Sequence, residues 1–201
     1  MTESRTIAGL VLAAGEGKRF GGLKQLERLG PRLLMEYAVE SMLDVDLIER
    51  VAVTLGAGAD EIARTADLEG AEVVIVADWR EGVAASLRAG FAELAEAADA
   101  IVVVPADRPL ISAPMITRVI EAWDGTAPAV QATHNGAHGY PLLLASGLRA
   151  AVAGLAGEDD ATSIPGVGDL LIECGPNVLF DVDLAEDLEE LRDSAVGGAT
   201  E

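Results

Sequence analysis

Apolar runs of strand length recur along the chain at 7–13, 51–55, 73–76, 101–105, 129–133, 141–144 and 170–174. Most of the stretches between them carry helical spacing instead, at 33–43, 59–66, 83–97 and 114–123. Strand and helix signals therefore alternate. That order predicts an α/β fold of βαβ units, with a mostly parallel, doubly wound sheet flanked by helices. Ser112 with Pro114 marks one helix start and Gly82 precedes another. After about residue 124 the pattern loosens into glycine- and proline-bearing loops, and its short strands predict a small antiparallel extension. A final acidic helix is expected over 185–191. No internal repeat is visible, so residues 1–193 read as a single domain, with a frayed tail without function from Ser194 onward.

Half of the residues are hydrophobic but only 3% are aromatic, so Val, Leu, Ile and Ala must build the core. That suits a parallel sheet buried on both faces and argues against disorder. The formal charge of −20 sets up a field that repels nucleic-acid backbones and anionic membranes, so neither is an expected partner. An anionic small substrate needs local positive charge. The chain has two lysines, Lys18 and Lys24, and both fall beside Arg19 in one glycine-rich segment, the first place to look for a site. Cys174 is the only cysteine, which excludes an internal disulfide and a cysteine-based zinc cluster and points to a reducing compartment. The N-terminal apolar run is too short to span a bilayer and lacks a basic leader, so a cytoplasmic location is expected.

Residues 12–24 read LAAGEGKRFGGLK directly after the first strand, which puts them at the carboxyl edge of the sheet, where open α/β folds bind ligands. Gly15, Gly17, Gly21 and Gly22 let backbone amides approach phosphate oxygens, and Arg19 and Lys24 can neutralise them. Neither common nucleotide fingerprint is present: no Lys-Ser or Lys-Thr follows the glycines, and Phe20 stands where GxGxxG needs its third glycine. The bland reading is a flexible turn with solvated charges.

Residues 102–112, VVVPADRPLIS, deliver Asp107 to the same edge, where a carboxylate can bind Mg²⁺ or simply form a turn. In 180–191, FDVDLAEDLEEL, Asp181 and Asp183 alternate on an extended segment and are expected to point the same way, so that one supplies a second metal contact; alternatively Asp183 caps the following helix. In 81–90, EGVAASLRAG, Gly82 and small residues open a helix whose free amides and Ser86 hydroxyl can meet a base or ribose, or merely allow close packing. His138 and Tyr140 sit in a turn before an apolar strand. With His134 the only other histidine, no GxSxG-type hydrolase motif is present.

Taken in order, these segments resemble the MobA-like nucleotidyltransferase family, and within it the molybdenum cofactor cytidylyltransferases. The family's opening LAAGxSxRMGxxK is similar to LAAGEGKRFGGLK, with Gly17 for Ser and Phe20 for Met. Its GDQP- or GDMP-like metal segment is similar to ADRP, its GMSSSLRAG to GVAASLRAG, and its DIDTPEDL to DVDLAEDL. The resemblance implies a Rossmann-like nucleotidyltransferase fold and a requirement for Mg²⁺, with Mn²⁺ as a substitute. It also implies transfer of a nucleotidyl group to a small phosphate-bearing acceptor such as molybdopterin, with release of pyrophosphate. It places Leu12, Ala13, Ala14, Gly15, Gly17, Arg19, Lys24, Gly82 and Ser86 on the nucleotide. Arg19, Lys24 and Asp107 become catalytic, Asp107 with Asp181 or Asp183 metal-binding, and His138 and Tyr140 acceptor-binding. The LAAG opening, rather than the LAGG of guanylyl-transferring relatives, implies CTP. Two segments depart from the pattern: GHP becomes GYP at Tyr140, and the GDxGAR-like segment becomes GEDDAT at 157–162, without an arginine to hold an acceptor phosphate.

Two other classes fit part of the pattern. A dinucleotide-dependent oxidoreductase would explain the βα alternation and the glycine loop, but it lacks the third glycine and an acidic residue ending the second strand, where Leu55-Gly56 stands. A regulatory protein that binds nucleotide without catalysis would explain the altered acceptor segments.

Overall fold

The computed structural model describes residues 5–197, and side chains through Asp193. In chain order the elements are β1 (Ile7–Ala13), β2 (Arg28–Leu29), β3 (Arg32–Leu33), α1 (Leu34–Leu43), β4 (Ile48–Leu55), α2 (Ala59–Thr65) and β5 (Glu72–Ile75). There follow α3 (Val83–Leu94), β6 (Ala100–Pro105), α4 (Ala113–Glu121), β7 (Ala129–His134), β8 (Ala137–Ala145), α5 (Arg149–Ala153), β9 (Leu171–Glu173) and α6 (Ala185–Gly197). A seven-stranded sheet runs β5-β4-β1-β6-β8-β7-β9.

The first half is parallel: β1 lies between β4 and β6, and β4 pairs with β5. Burial explains the choice of residues. Leu10, Val11, Ala52, Val53 and the run from Ala100 to Val104 are essentially inaccessible, because helices cover both faces of these strands and leave no polar side. The chain then reverses. β8 pairs antiparallel with both β6 and β7, and β9 returns parallel to β7. The expected antiparallel extension is thus built into the main sheet rather than beside it.

Helix α3 crosses β1 and β4 with Leu87, Phe91 and Leu94 buried. It approaches closely because Gly90 has no side chain: a Cβ there would lie 2.3 Å from Leu10 Cδ1. The final helix continues to Gly197, past the Ser194 boundary read from the sequence, and residues 198–201 of that expected tail lie outside the described residues. Among the described residues no helix is long and apolar enough to cross a membrane.

Candidate active site

The carboxyl ends of β1 and β6 open into a cavity of about 480 Å³. The glycine-rich loop forms one wall. It closes on itself where Gly21 N and Gly22 N donate to Gly17 O at 2.9 and 3.3 Å and Lys24 N donates to Gly22 O at 2.8 Å. Gly17 has φ +65°, and a Cβ on it would lie 2.0 Å from Gly22 O, so only glycine fits this closure. The family pattern has serine at this position, which the closure seen here does not admit. Buried Gln25 fixes the loop to the sheet, its Nε2 donating to Ala13 O at 3.0 Å and to Gly15 O at 2.6 Å.

The loop delivers Lys24 to the centre of the cavity. Its Nζ donates to Asp107 Oδ2 and to the carbonyl of Val182, both at 2.7 Å, and to Asp183 Oδ1 at 3.3 Å. Arg19 NH1 pairs with the other oxygen of Asp183 at 2.8 Å. Asp107 and Asp183 come from segments distant in sequence, one from the turn after β6 and one from the extended segment before α6. The amide of Val182 donates to Asp107 O at 2.9 Å and joins the two segments. Two carboxylates and a main-chain carbonyl around one positive centre are the hard oxygen donors that suit Mg²⁺ or Mn²⁺. In this structure the ammonium of Lys24 is the cation they surround. Among the described residues no group of three or more His, Cys, Asp and Glu side chains is gathered for a metal.

The start of α3 forms the second wall. Gly82, with φ +105°, meets the carbonyl of Gly157, which a Cβ would approach to 2.3 Å. The expectation that the amides opening this helix are free holds only in part, because Ala84 N already donates to Gly157 O at 3.1 Å. The Ser86 side chain lines the cavity with no hydrogen-bond partner among the described residues.

The third wall holds Arg108, Tyr140, Asp160 and Asp181. The Arg108 guanidinium lies 5.0 Å from the Tyr140 ring centre, donates to Val178 O at 3.1 Å, and donates to Asp181 Oδ2 at 3.2 Å. Its Nε is buried without a partner. Burial, reinforced by the Asp160 carboxylate, pushes the Tyr140 hydroxyl up to about 12, so it remains a neutral donor. Burial also raises Asp181, which Arg108 partly offsets.

The family model described as the MobA-like NTP transferase domain matches residues 9–167, which carry the glycine loop, Asp107 and the opening of α3. The chain belongs to the MobA-like NTP transferase family. It is 30% identical over 94% of its length, and 98% of the relative's, to a protein named nicotine blue oxidoreductase of Paenarthrobacter nicotinovorans. It is 31% identical to a molybdenum cofactor guanylyltransferase of Cereibacter sphaeroides, covering 72% of this chain and 74% of that one. Among solved structures, Rv0371c of Mycobacterium tuberculosis superposes with a TM-score of 0.84 at 25% identity, covering 96% of this chain and all of that one. A second structure of Rv0371c, in complex with manganese, has a TM-score of 0.81 at 23% identity and covers 94% and 99% of the two chains.

In this MobA-like chain nearly every residue singled out from the sequence lines one cavity: Leu12, Ala13, Ala14, Gly15, Gly17, Arg19, Lys24, Gly82, Ser86, Asp107, Tyr140, Asp181 and Asp183. His138 does not, and this corrects the sequence expectation. It is exposed, its Nδ1 lies 3.0 Å from Gln131 Oε1, and its ring packs where a side chain on Gly168 would fall. The β7–β8 register slips between Gln131 and Thr133, so strand alternation does not carry from Tyr140 back to His138. Asp181 and Asp183 both face the cavity but do not share partners; Asp183 joins Lys24 and Arg19, whereas Asp181 joins Arg108. Nor does Asp183 cap α6. Asp187 takes that role, its Oδ2 accepting from Asp183 N and Leu184 N at 2.8 and 2.7 Å. Gln25, Trp79, Arg108 and Asp160 were missed; Arg108, inside the ADRP segment, and Asp160, inside the GEDDAT segment, had a local signal.

Proposed function

We propose that this protein is a cytidylyltransferase that binds CTP on the glycine-rich loop and transfers CMP to a small acceptor, releasing pyrophosphate. One observation carries the reading: the loop's Lys24 and the carboxylates of Asp107 and Asp183 meet at one point of the cavity. Arg19 and Lys24 hold the triphosphate, and the loop amides orient it for in-line attack at the α-phosphorus. Asp107 and Asp183 hold Mg²⁺ or Mn²⁺, and Asp181 orients Arg108. When bound, the metal neutralises charge on the phosphate oxygens. Most of the catalytic effect then comes from positioning and electrostatics.

The choice of CTP rests on Ala13-Ala14 in the LAAG opening; the guanylyltransferase relative makes GTP the competing nucleotide. Molybdopterin is the acceptor implied by the resemblance. The test is pyrophosphate release with each of CTP, GTP, ATP and UTP plus Mg²⁺, with and without molybdopterin, in the wild type and in Asp107→Ala. CTP-dependent release that falls at least about 100-fold in Asp107→Ala supports the reading. Equal turnover in the variant removes Asp107 from the chemistry, and binding of nucleotide without release identifies a regulatory protein.

A second reading, a dinucleotide-dependent oxidoreductase, is favoured by the name of the nicotine blue oxidoreductase relative. Leu55 ends β4 without the acidic residue that would hold a ribose, which counts against it. Absorbance change on mixing the protein with NADH or NADPH and an oxidised dye distinguishes the two.

A further inference from the structure

We propose that Arg108 is the residue that binds the phosphate of the acceptor, in place of the arginine that the 157–162 segment lacks. The inference rests on the nucleotidyltransferase reading above and assigns the acceptor side of that same cavity to a residue from another part of the chain.

Among the described residues five cations line the cavity: Lys18, Arg19, Lys24, Arg80 and Arg108. The first three belong to the glycine-rich loop and Arg80 to the turn before α3, on the side given to the triphosphate. Arg108 belongs to neither; it follows Asp107 in the turn after β6. Its side chain is only 15% exposed and is held from three directions. The guanidinium lies 5.0 Å from the Tyr140 ring centre, NH1 donates to Val178 O at 3.1 Å, and NH2 donates to Asp181 Oδ2 at 3.2 Å. A cation fixed in this way has already lost the rotamer freedom that a solvated arginine gives up on binding.

The donors of Arg108 are only partly used. Of its five N–H groups two donate, which leaves the buried Nε–H and one N–H on each terminal nitrogen. Unmet charged donors in a largely buried place are costly. Two N–H groups in one guanidinium plane match a pair of phosphate oxygens, whereas a neutral hydroxyl takes only one. Asp181 is the counter-ion that holds this place without a ligand. Its side chain is 41% exposed and its hydrogen bond to Arg108 is its one side-chain bond among the described residues, so an entering phosphate can displace it. Asp160, the other carboxylate of this wall, is occupied through Oδ1 by the amide and hydroxyl of Thr162.

Three departures from the family pattern then account for one another. The 157–162 segment has no arginine, ADRP has Arg108 where the pattern has Gln or Met, and Tyr140, in place of histidine, packs its ring against that guanidinium. In the transfer, an oxygen of the acceptor phosphate forms a bond to the α-phosphorus as the bond from that phosphorus to pyrophosphate breaks. A phosphate monoester is largely a dianion at neutral pH, so no proton has to leave. Among the described residues no histidine lines the cavity to take one.

The test is calorimetric titration of the full chain, loaded with Mg²⁺ and a CTP analogue carrying a methylene α,β-bridge that keeps the triphosphate side occupied. The probes are glycerol 3-phosphate and ribose 5-phosphate, each beside its unphosphorylated parent. At least one monoester is expected to bind about tenfold more tightly than its parent. Arg108→Met weakens that monoester about tenfold without moving the parent, and Arg108→Lys weakens it about threefold, because a point charge lacks the fork. Asp181→Asn tightens it about threefold by removing the competing carboxylate. An arginine with a merely structural role would lower Tm and leave the ratio of monoester to parent unchanged. No binding by any probe, no preference for a monoester, a ratio unmoved by Arg108→Met, or weaker monoester binding in Asp181→Asn overturns the proposal. Should Arg108→Met not unfold cooperatively, Arg108→Lys and Asp181→Asn decide on the same outcomes. Failure of the CTP analogue itself to bind is a separate result, which removes the cytidylyltransferase reading and this inference with it.

Discussion

Replacing Lys24 with methionine keeps the length and packing of the side chain and removes its charge. Two carboxylate oxygens at 2.7 and 3.3 Å from one nitrogen are at most about 6 Å apart, and without the ammonium they face each other directly. At an effective dielectric near 20 that repulsion is about 3 kcal/mol. The side chains of Asp107 and Asp183 are 23% and 27% exposed, so solvent screens part of it. The carbonyl of Val182 also loses its ammonium donor. A net loss of about 2 kcal/mol follows, or a fall in Tm of about 4 to 8 °C for a domain of this size. Thermal and urea unfolding would measure it. Millimolar Mg²⁺ or Mn²⁺ should recover more stability in Lys24→Met than in the wild type, because a divalent cation then meets the same oxygens without displacing a lysine. Stability within about 0.5 kcal/mol of wild type, or no greater gain from metal in the variant, would refute the reasoning.

Gly17→Ala should leave the fold intact and weaken CTP binding more than about tenfold, since the left-handed backbone and the contact with Gly22 O prevent loop closure; unchanged affinity by calorimetry would contradict this. Gly90→Ala should cost about 1 to 3 kcal/mol in urea unfolding, because Leu10 is fully buried and cannot swing aside; a neutral effect would show that α3 can lift off the sheet. Tyr140 is raised from about 10 to about 12, so its contribution to stability is fully present below pH 10 and is lost as pH rises through 12. Tyr140→Phe should therefore flatten the alkaline limb of the stability curve by roughly 2 kcal/mol, and coincident limbs would rule the shift out.

The strands easiest to read were those buried on both faces. The run at 7–13 coincides with β1, and 101–105 differs from β6 by one residue, because a continuous apolar segment has no other place in a sheet of this kind. The edge was harder to read. In β5, Val73 and Ile75 are 41% and 61% exposed, so their apolar character marks strand propensity rather than core. β8 extends to Ala137, four residues before the apolar run, because antiparallel pairing with β7 holds polar residues that no hydrophobic pattern marks. The β2–β3 hairpin, two residues a side, left no periodic signal.

The site divides in the same way. Residues fixed by local spacing after a strand, such as Lys24 and Asp107, were legible. The partner chosen by Asp183, the inward position of Asp160 and the rotation of His138 away from the cavity depend on how distant loops cross, which a single sequence does not encode locally.

The bond between Lys24 and Asp183 joins residues 159 positions apart. During synthesis at about 5 to 20 residues per second, Lys24 emerges roughly 8 to 30 seconds before the segment that completes its surroundings. Over that interval the nascent chain has its glycine loop, and later Asp107, without the closing segment that carries Asp181 and Asp183. On the proposed reading, a chain cut short before Phe180 lacks the partner that Lys24 and Arg19 share and should stay inert however well its sheet has formed.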